Sequence, residues 1–165
     1  MKGSYAETIV KRETTLATIG LGFLMVVGTL LGLVLLFSSS ILSIVGAALI
    51  VGSIYFFPRL KVEYEYIFVD GQLDFDKVTG NSKRKAMLRI NLDQVEIIAP
   101  IKSNALDSYR NLQCEKKNFS SHSKNDKLYV IIAKVDNKML KIFFEPDERM
   151  INTMKQKSPR KVALY

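Results

Sequence analysis

The stretch LATIGLGFLMVVGTLLGLVLLFSSSILSIVGAALIVGSIYFF occupies residues 16–57 and contains no charged side chain. Its first part, residues 16–37, holds 22 residues, and its last part, residues 41–57, holds 17. A helix needs roughly 20 apolar residues to cross a hydrocarbon core of about 30 Å. The first segment spans it comfortably and the second is at the short end. Because only the three serines 38–40 join them, the sequence predicts a transmembrane helical hairpin whose two ends lie on the same side.

Positive charges flank this hairpin on one side. Lys11 and Arg12 precede it and Arg59 and Lys61 follow it, whereas the serine loop has none. Lys and Arg concentrate in the cytoplasmic flanks of spans, so both termini are predicted in the cytoplasm. The first segment is too long for a signal peptide and lacks a small-residue cleavage site. We therefore predict a two-span protein of the cell membrane, with residues 1–15 as a cytoplasmic segment.

Small residues recur at helical spacing within both spans. Gly28 and Gly32 lie four residues apart, and Ala48 and Gly52 repeat that spacing. Small side chains let helix backbones approach closely in lipid. The pattern fits packing of the two spans against each other, which the short loop favours, and it also fits homodimerisation. Neither span contains an ionisable residue, which argues against a transport or proton path.

After residue 60 the period of the apolar pattern changes from helical to two, which predicts strands. The first strand begins near Val62, and Asp70-Gly71 after it is a strong two-residue hairpin signal. An acidic start at residues 145–148 then opens an amphipathic helix, because carboxylates suit the positive end of a helix dipole. The further strands are predicted at residues 72–76, 84–90, 95–99, 109–114, 127–135 and 139–144.

This order predicts an α+β membrane protein. The transmembrane hairpin is followed by an antiparallel β-barrel or sandwich that the C-terminal amphipathic helix closes. The β domain is expected over residues 61–157, and residues 158–165 are expected to form a basic tail. The order of strands and helix resembles a pleckstrin-homology-like (PH-like) domain.

At residue level the chain resembles a family of small, uncharacterised two-span membrane proteins of Gram-positive bacteria that carry a C-terminal PH-like domain. The stretches that carry the resemblance are YAETIVKR (5–12), VEYEY (62–66), GQLDFDK (71–77), FEP (144–146) and PRKV (159–162). The resemblance implies an architecture and a membrane location, and it brings no activity with it.

The residues that usually carry chemistry are few and scattered. The sequence has one histidine, His122, and one cysteine, Cys114, whereas a zinc site needs several converging ligands. It lacks a phosphate-binding glycine loop, a nucleophile elbow and a paired-cysteine motif. Asp74 and Asp76 point to one side of a strand, which we interpret as a solvent-facing sheet surface rather than a cation site. We therefore predict a protein that is not an enzyme, with no catalytic residue, metal or cofactor.

Basic residues form two clusters in a chain of formal net charge +8. Each such charge near an anionic leaflet is worth about 1 kcal/mol, so contact with anionic lipid headgroups and a merely solvated surface both stay open. Lipid-binding PH domains use a basic loop between their first two strands, but here that loop is the tight, acidic Asp70-Gly71. Nucleic-acid binding is disfavoured because aromatic and basic side chains are not interleaved on the strands. The clustered residues are Lys83, Arg84, Lys85, Lys155, Lys157, Arg160 and Lys161.

The leading functional hypothesis is a non-enzymatic, membrane-anchored interaction or scaffold module. It would present the PH-like domain at the cytoplasmic face of the bilayer to a protein partner or to a second copy of the chain. One alternative is an enzyme or enzyme subunit with a site built from Asp74, Asp76 and His122. The other is a module that binds anionic lipid headgroups electrostatically. The lipid bilayer is a predicted partner under the leading hypothesis and under lipid binding.

Overall fold

A computed structural model describes residues 4–38, 40–80, 83–122 and 127–163. The chain divides into two compact units. The helical unit comprises residues 13–62 and 79–83. The β unit comprises residues 1–12, 63–78 and 84–165.

The helical unit is built from two long apolar helices, α1 (Leu16–Leu36) and α2 (Ser40–Phe56). Their bounds agree with the predicted spans to within one residue. Only 6% of each apolar stretch is buried within the protein, and side chains such as Leu24 (64% exposed) and Ile44 (70% exposed) face outward. The core helices of soluble proteins hide such side chains from water. Both helices are long and apolar enough to span a membrane, and their side chains are mostly exposed.

Two glycines set the distance between α1 and α2. A Cβ atom placed on Gly46 would lie 2.5 Å from the carbonyl oxygen of Gly32, and one on Gly32 would lie 2.8 Å from that of Gly46. No larger side chain fits at either position unless the helices move apart. Ser53 Oγ donates a hydrogen bond to the Met25 carbonyl at 3.3 Å, which joins the two helices a second time.

The small residues predicted to pack the spans divide into two groups. Gly32 lies at the crossing, and a Cβ on Gly28 would reach Ser53 Oγ at 3.9 Å. Ala48 is exposed, and a Cβ on Gly52 would find no atom within 4 Å. Packing within the hairpin therefore uses Gly28 and Gly32 and not Ala48 or Gly52, and homodimerisation through these small residues stays a prediction. Gly46, which the sequence pattern did not single out, takes their place.

The N-terminal segment forms a strand of the β unit. Strand β1 (Tyr5–Lys11) pairs antiparallel with β2 (Val62–Val69) in seven residue pairs, from Tyr5 opposite Val69 to Lys11 opposite Glu63. The expectation of a separate N-terminal segment over residues 1–15 is corrected accordingly. A single short alternating segment does not reveal a partner that lies on the far side of two helices in sequence.

The first sheet has the order β1-β2-β3-β4, with β3 at Gln72–Thr79 and β4 at Lys83–Asn91. The predicted turn between β2 and β3 is confirmed, because Asp70 and Gly71 have φ angles of 48° and 103°. A two-residue turn with both φ angles positive matches the twist of the strands it joins.

The second sheet has the order β5-β7-β8-β6. Its strands are β5 (Val95–Pro100), β6 (Glu115–Asn118), β7 (Tyr129–Val135) and β8 (Lys138–Phe144). The prediction of a strand at residues 109–114 is wrong, since the chain forms a 3₁₀ helix at Asn104–Tyr109 and only then enters β6. Strand β6 runs parallel to β8, so its pairing partner is not its neighbour in sequence.

Helix α3 (Glu148–Lys157) begins as predicted after the acidic segment. The side chain of Asp147 accepts a hydrogen bond from the Met150 amide at 2.8 Å and caps the helix. The apolar face of α3, which includes Met150 and Met154, is fully buried. Aromatic side chains fill the core between the sheets, and the Tyr66 hydroxyl donates to the Phe119 carbonyl at 2.5 Å.

The segment after α3 does not trail off. The Ile98 amide donates to the Lys161 carbonyl at 2.7 Å, and the Ala163 amide donates to the Ile98 carbonyl at 2.8 Å. Val162 is only 4% exposed. The expected basic tail over residues 158–165 is thus bound to β5 as far as Ala163, and its last two residues lie outside the described part of the chain.

Gly46→Leu should destabilise the helical unit, because the new side chain would meet the backbone of α1. Overpacking of this kind costs about 1–3 kcal/mol. Gly52→Leu adds the same atoms to the same helix where nothing lies within 4 Å, so it should leave stability unchanged. The measurement is the temperature at which the detergent-purified full chain loses its monodisperse peak in size-exclusion chromatography. Equal midpoints for the two variants would contradict the crossing at Gly46.

Candidate functional site

The first basic cluster lies at the beginning of β4. Arg84 is 2.6 Å from Glu65 Oε2 and 4.0 Å from Asp76 Oδ2, so its guanidinium is paired with carboxylates of the same sheet. Lys83 and Lys85 are exposed on either side of it. Among the predicted lipid contacts in this cluster, the two lysines are the ones that present charge to the surroundings.

The second basic cluster follows α3. Lys161 Nζ donates to the Leu92 carbonyl at 2.7 Å and to the Asp93 carbonyl at 3.1 Å. Its ammonium group therefore satisfies backbone oxygens within the β unit. Arg160 is exposed, and Lys155 at the end of α3 is half-buried.

Lys157 borders a polar cavity of about 440 Å³ at the turn between β2 and β3. Asp70 and Asp93 line the same cavity, and Asp70 Oδ1 accepts a hydrogen bond from the Ser4 amide at 2.9 Å. Carboxylates next to the lysine reduce the positive potential there. This arrangement disfavours Lys157 as a contact for an anionic headgroup.

Glu65 is the one acidic side chain of the first sheet that is almost fully buried, with 3% exposure. Burial raises its pKa, a hydrogen bond with Glu7 acts in the same direction, and the charge of Arg84 opposes both. The pKa of Glu7 is lowered by a hydrogen bond from the Tyr5 hydroxyl. The carboxyl pair therefore holds a proton on the Glu65 side more readily than an isolated glutamate would.

Asp74 and His122, which were considered for an enzymatic site, make separate contacts. Asp74 accepts two hydrogen bonds from Arg89, at 2.9 and 3.0 Å. His122 lies in a loop with a φ angle of 66°, and its Nδ1 is 3.1 Å from the Ser120 carbonyl. Within residues 4–38, 40–80, 83–122 and 127–163, no three side chains of His, Cys, Asp or Glu are placed to hold a metal ion. Cys114 is half-buried and unpaired in a disulfide.

A cavity of about 550 Å³ lies in the helical unit at the end of α2, and we call it the α2 cavity. One wall is apolar and comes from α2. The 3₁₀ turn Phe57–Leu60 and the turn after β3 supply the rest. The residues that line the α2 cavity are Val51, Ile54, Tyr55, Pro58, Arg59, Thr79, Gly80 and Lys83.

The turn after β3 is fixed against the 3₁₀ turn by Gly80. Its amide donates to the Lys61 carbonyl at 3.1 Å, and its φ angle is 62°. A Cβ at this position would lie 3.3 Å from the Pro58 carbonyl oxygen. A residue without a side chain is therefore needed to bring Thr79 and Lys83 to the cavity.

Arg59 is the functional candidate that sequence reasoning missed. Its guanidinium carbon lies 3.7 Å from the centre of the Tyr55 ring and 5.6 Å from that of Phe56. In the sequence it counted only as a flanking charge that orients the hairpin. The available signal was the pair Tyr55 and Phe56, which lie four and three residues before Arg59. One helical turn places these rings beneath the arginine.

Comparison with known proteins identifies one family. The model of a family described as a bacterial PH-like domain (DUF6106) matches residues 2–164. No curated protein and no solved structure matches the chain.

Arg84→Gln should destabilise the β unit in a way that depends on pH. The pKa of Glu65 is raised in the folded chain, so its contribution to stability is complete at low pH and is lost as pH rises through that pKa. Removing Arg84 raises this pKa further. We expect the free energy of unfolding to fall by about 1–3 kcal/mol at pH 8 and by less at pH 5. The partial exposure of Arg84 moderates both losses. Thermal unfolding of the full chain followed by near-ultraviolet circular dichroism measures it.

Lys85→Gln is the matched control, because it removes the same charge from an exposed position on the same strand. Its effect on the unfolding temperature should be small and the same at both pH values. A loss of stability in Arg84→Gln that does not change with pH would contradict the role given to Glu65.

Proposed function

We propose that this chain, which belongs to the bacterial PH-like domain family DUF6106, is a non-enzymatic interaction module anchored in the cell membrane. The two helices hold it in the bilayer, and the PH-like β unit is available at the cytoplasmic face to a protein partner or a second copy. The observation that carries this proposal is the pairing of β1 with β2, which flank the hairpin in sequence.

The pairing of β1 with β2 constrains the topology of the hairpin. Residues 5–11 and 62–69 must meet in order to pair, so both ends of the hairpin have to lie on the same side of a bilayer. The charges at Lys11, Arg12 and Arg59 then favour the cytoplasm for that side. The serine loop at the opposite end of the hairpin has no charge, so nothing favours the cytoplasm for that end.

The use of polar groups in the first sheet supports a role in interaction rather than chemistry. Lys11 approaches Glu63 at 3.9 Å, whereas the Arg84–Glu65 and Arg89–Asp74 pairs are closer, at 2.6 and 2.9 Å. A general acid or base needs a titratable group that can reach a substrate proton. The carboxylates of these pairs are instead engaged by cations from other strands of the same sheet.

Strand β1 also offers a surface to a partner. It is an edge strand of its sheet, and Tyr5 and Ile9 are 52% and 56% exposed on the same side of it. Strand addition by a partner chain uses the main-chain hydrogen-bonding groups of an edge strand, and exposed side chains such as Tyr5 and Ile9 add specific contacts.

The topology can be tested with single cysteines in a Cys114→Ser background. Ser40→Cys at the start of α2 should react with a membrane-impermeant maleimide in intact cells. Lys134→Cys, on β7, should react only after the membrane is disrupted, because the β unit would lie in the cytoplasm. Labelling of Lys134→Cys in intact cells would overturn the cytoplasmic placement, and recovery of the chain in the soluble fraction would overturn the anchor.

The interaction role can be tested by placing a photo-reactive amino acid at Ile9 of the full chain in its native membrane. We expect a crosslink to a partner protein or to a second copy. The same amino acid at Lys134, an exposed position on β7, is the control and should give little crosslinking. Recovery of monomer alone from both positions would contradict a partner at β1.

A further inference from the structure

The α2 cavity combines an apolar wall with positive charge. Val51 and Ile54 form the wall and are 66% and 68% exposed, and Arg59 and Lys83 are its charged residues. Among the described residues that line it, none carries a carboxylate. A ligand with an anionic group and a hydrocarbon chain matches both properties of the cavity.

Arg59 is oriented without being neutralised. Its contacts with the Tyr55 and Phe56 rings, at 3.7 and 5.6 Å from the ring centres, are cation–π contacts, which attract the guanidinium but leave its charge unpaired. It forms no ion pair with the part of the chain that the structure describes. A planar guanidinium held on aromatic rings keeps donors for a phosphate, which it binds in a bidentate manner.

The cavity lies where a lipid phosphate would be if α2 spans the bilayer. Tyr55 and Phe56 are at the end of α2, and aromatic side chains at the end of a span settle at the level of the headgroups. The exposed wall of Val51 is one turn further towards the middle of the span. The volume of about 550 Å³ falls in the usual range for small-ligand pockets, roughly 300–1,000 Å³.

We propose that the α2 cavity binds one anionic phospholipid of the bilayer. Arg59 and Lys83 contact its phosphate, and an acyl chain runs along Val51 and Ile54. This inference rests on the proposed function, because it requires α2 to cross the membrane. The bound lipid would hold the turn at Gly80 to the membrane surface, and the described residues that line the cavity do not include Asp70 or Gly71.

The test is native mass spectrometry of the full chain in a non-ionic detergent, titrated with dioleoylphosphatidylglycerol. One lipid should bind per chain, more tightly than dioleoylphosphatidylcholine. The double variant Arg59→Gln/Lys83→Gln should bind it roughly 20- to 30-fold more weakly, at about fivefold per cation. Lys83→Gln alone should lower the affinity for this lipid about fivefold. Because Lys83 is exposed, this variant keeps the test valid if the double variant misfolds.

The matched control is Lys116→Gln/Lys134→Gln, which removes two exposed cations from the β unit and should change binding less than twofold. Equal loss in this control, equal binding of the two lipids, or undiminished binding in Arg59→Gln/Lys83→Gln would overturn the site. Displacement of the lipid by millimolar inorganic phosphate would overturn a lipid as its occupant. A chain that fractionates with membranes but shows no lipid preference refutes this inference alone, whereas a soluble chain refutes the proposed function.

Discussion

The pairing of β1 with β2 is the constraint on which the rest of the chain depends. Seven residue pairs join these strands, although residues 12–61 lie between them. Closing so long a loop costs conformational entropy, and an antiparallel helical hairpin reduces that cost because it brings its own two ends together. A close antiparallel crossing such as that of Gly32 and Gly46 therefore lowers the entropic cost of completing a sheet that contains neither residue.

Charge in this protein has two uses that the sequence alone does not separate. Arg84 and Lys161 are held by a buried carboxylate and by backbone carbonyls, respectively. Such contacts stabilise the β unit, since a buried polar group without a partner would cost free energy. Lys83 and Arg59 are instead directed to a cavity with an apolar wall. The difference lies in the surroundings of each side chain, and it decides which cations remain to meet another molecule.

Most secondary structure follows from local patterns in this chain. Period-two alternation predicted the strands around the Asp70-Gly71 turn, and the acidic residues before Met150 predicted the start of α3. The errors fall where pairing is non-local. Strand β1 needs a partner more than fifty residues away, β6 pairs parallel with β8, and the segment at Val162 binds β5. In each case the stabilising hydrogen bonds come from residues that the local pattern does not contain.

The sequence by itself determined that two apolar helices are followed by a run of β-strands, because length and hydropathy are properties of a continuous segment. It also determined which turns reverse the chain, since positive φ angles favour particular residues. The tertiary structure alone decided that Gly46 rather than Gly52 lies at the helix crossing and that Arg59 shares a cavity with Lys83. These facts depend on which surfaces meet, and a contact between segments distant in sequence exists only once both have been placed.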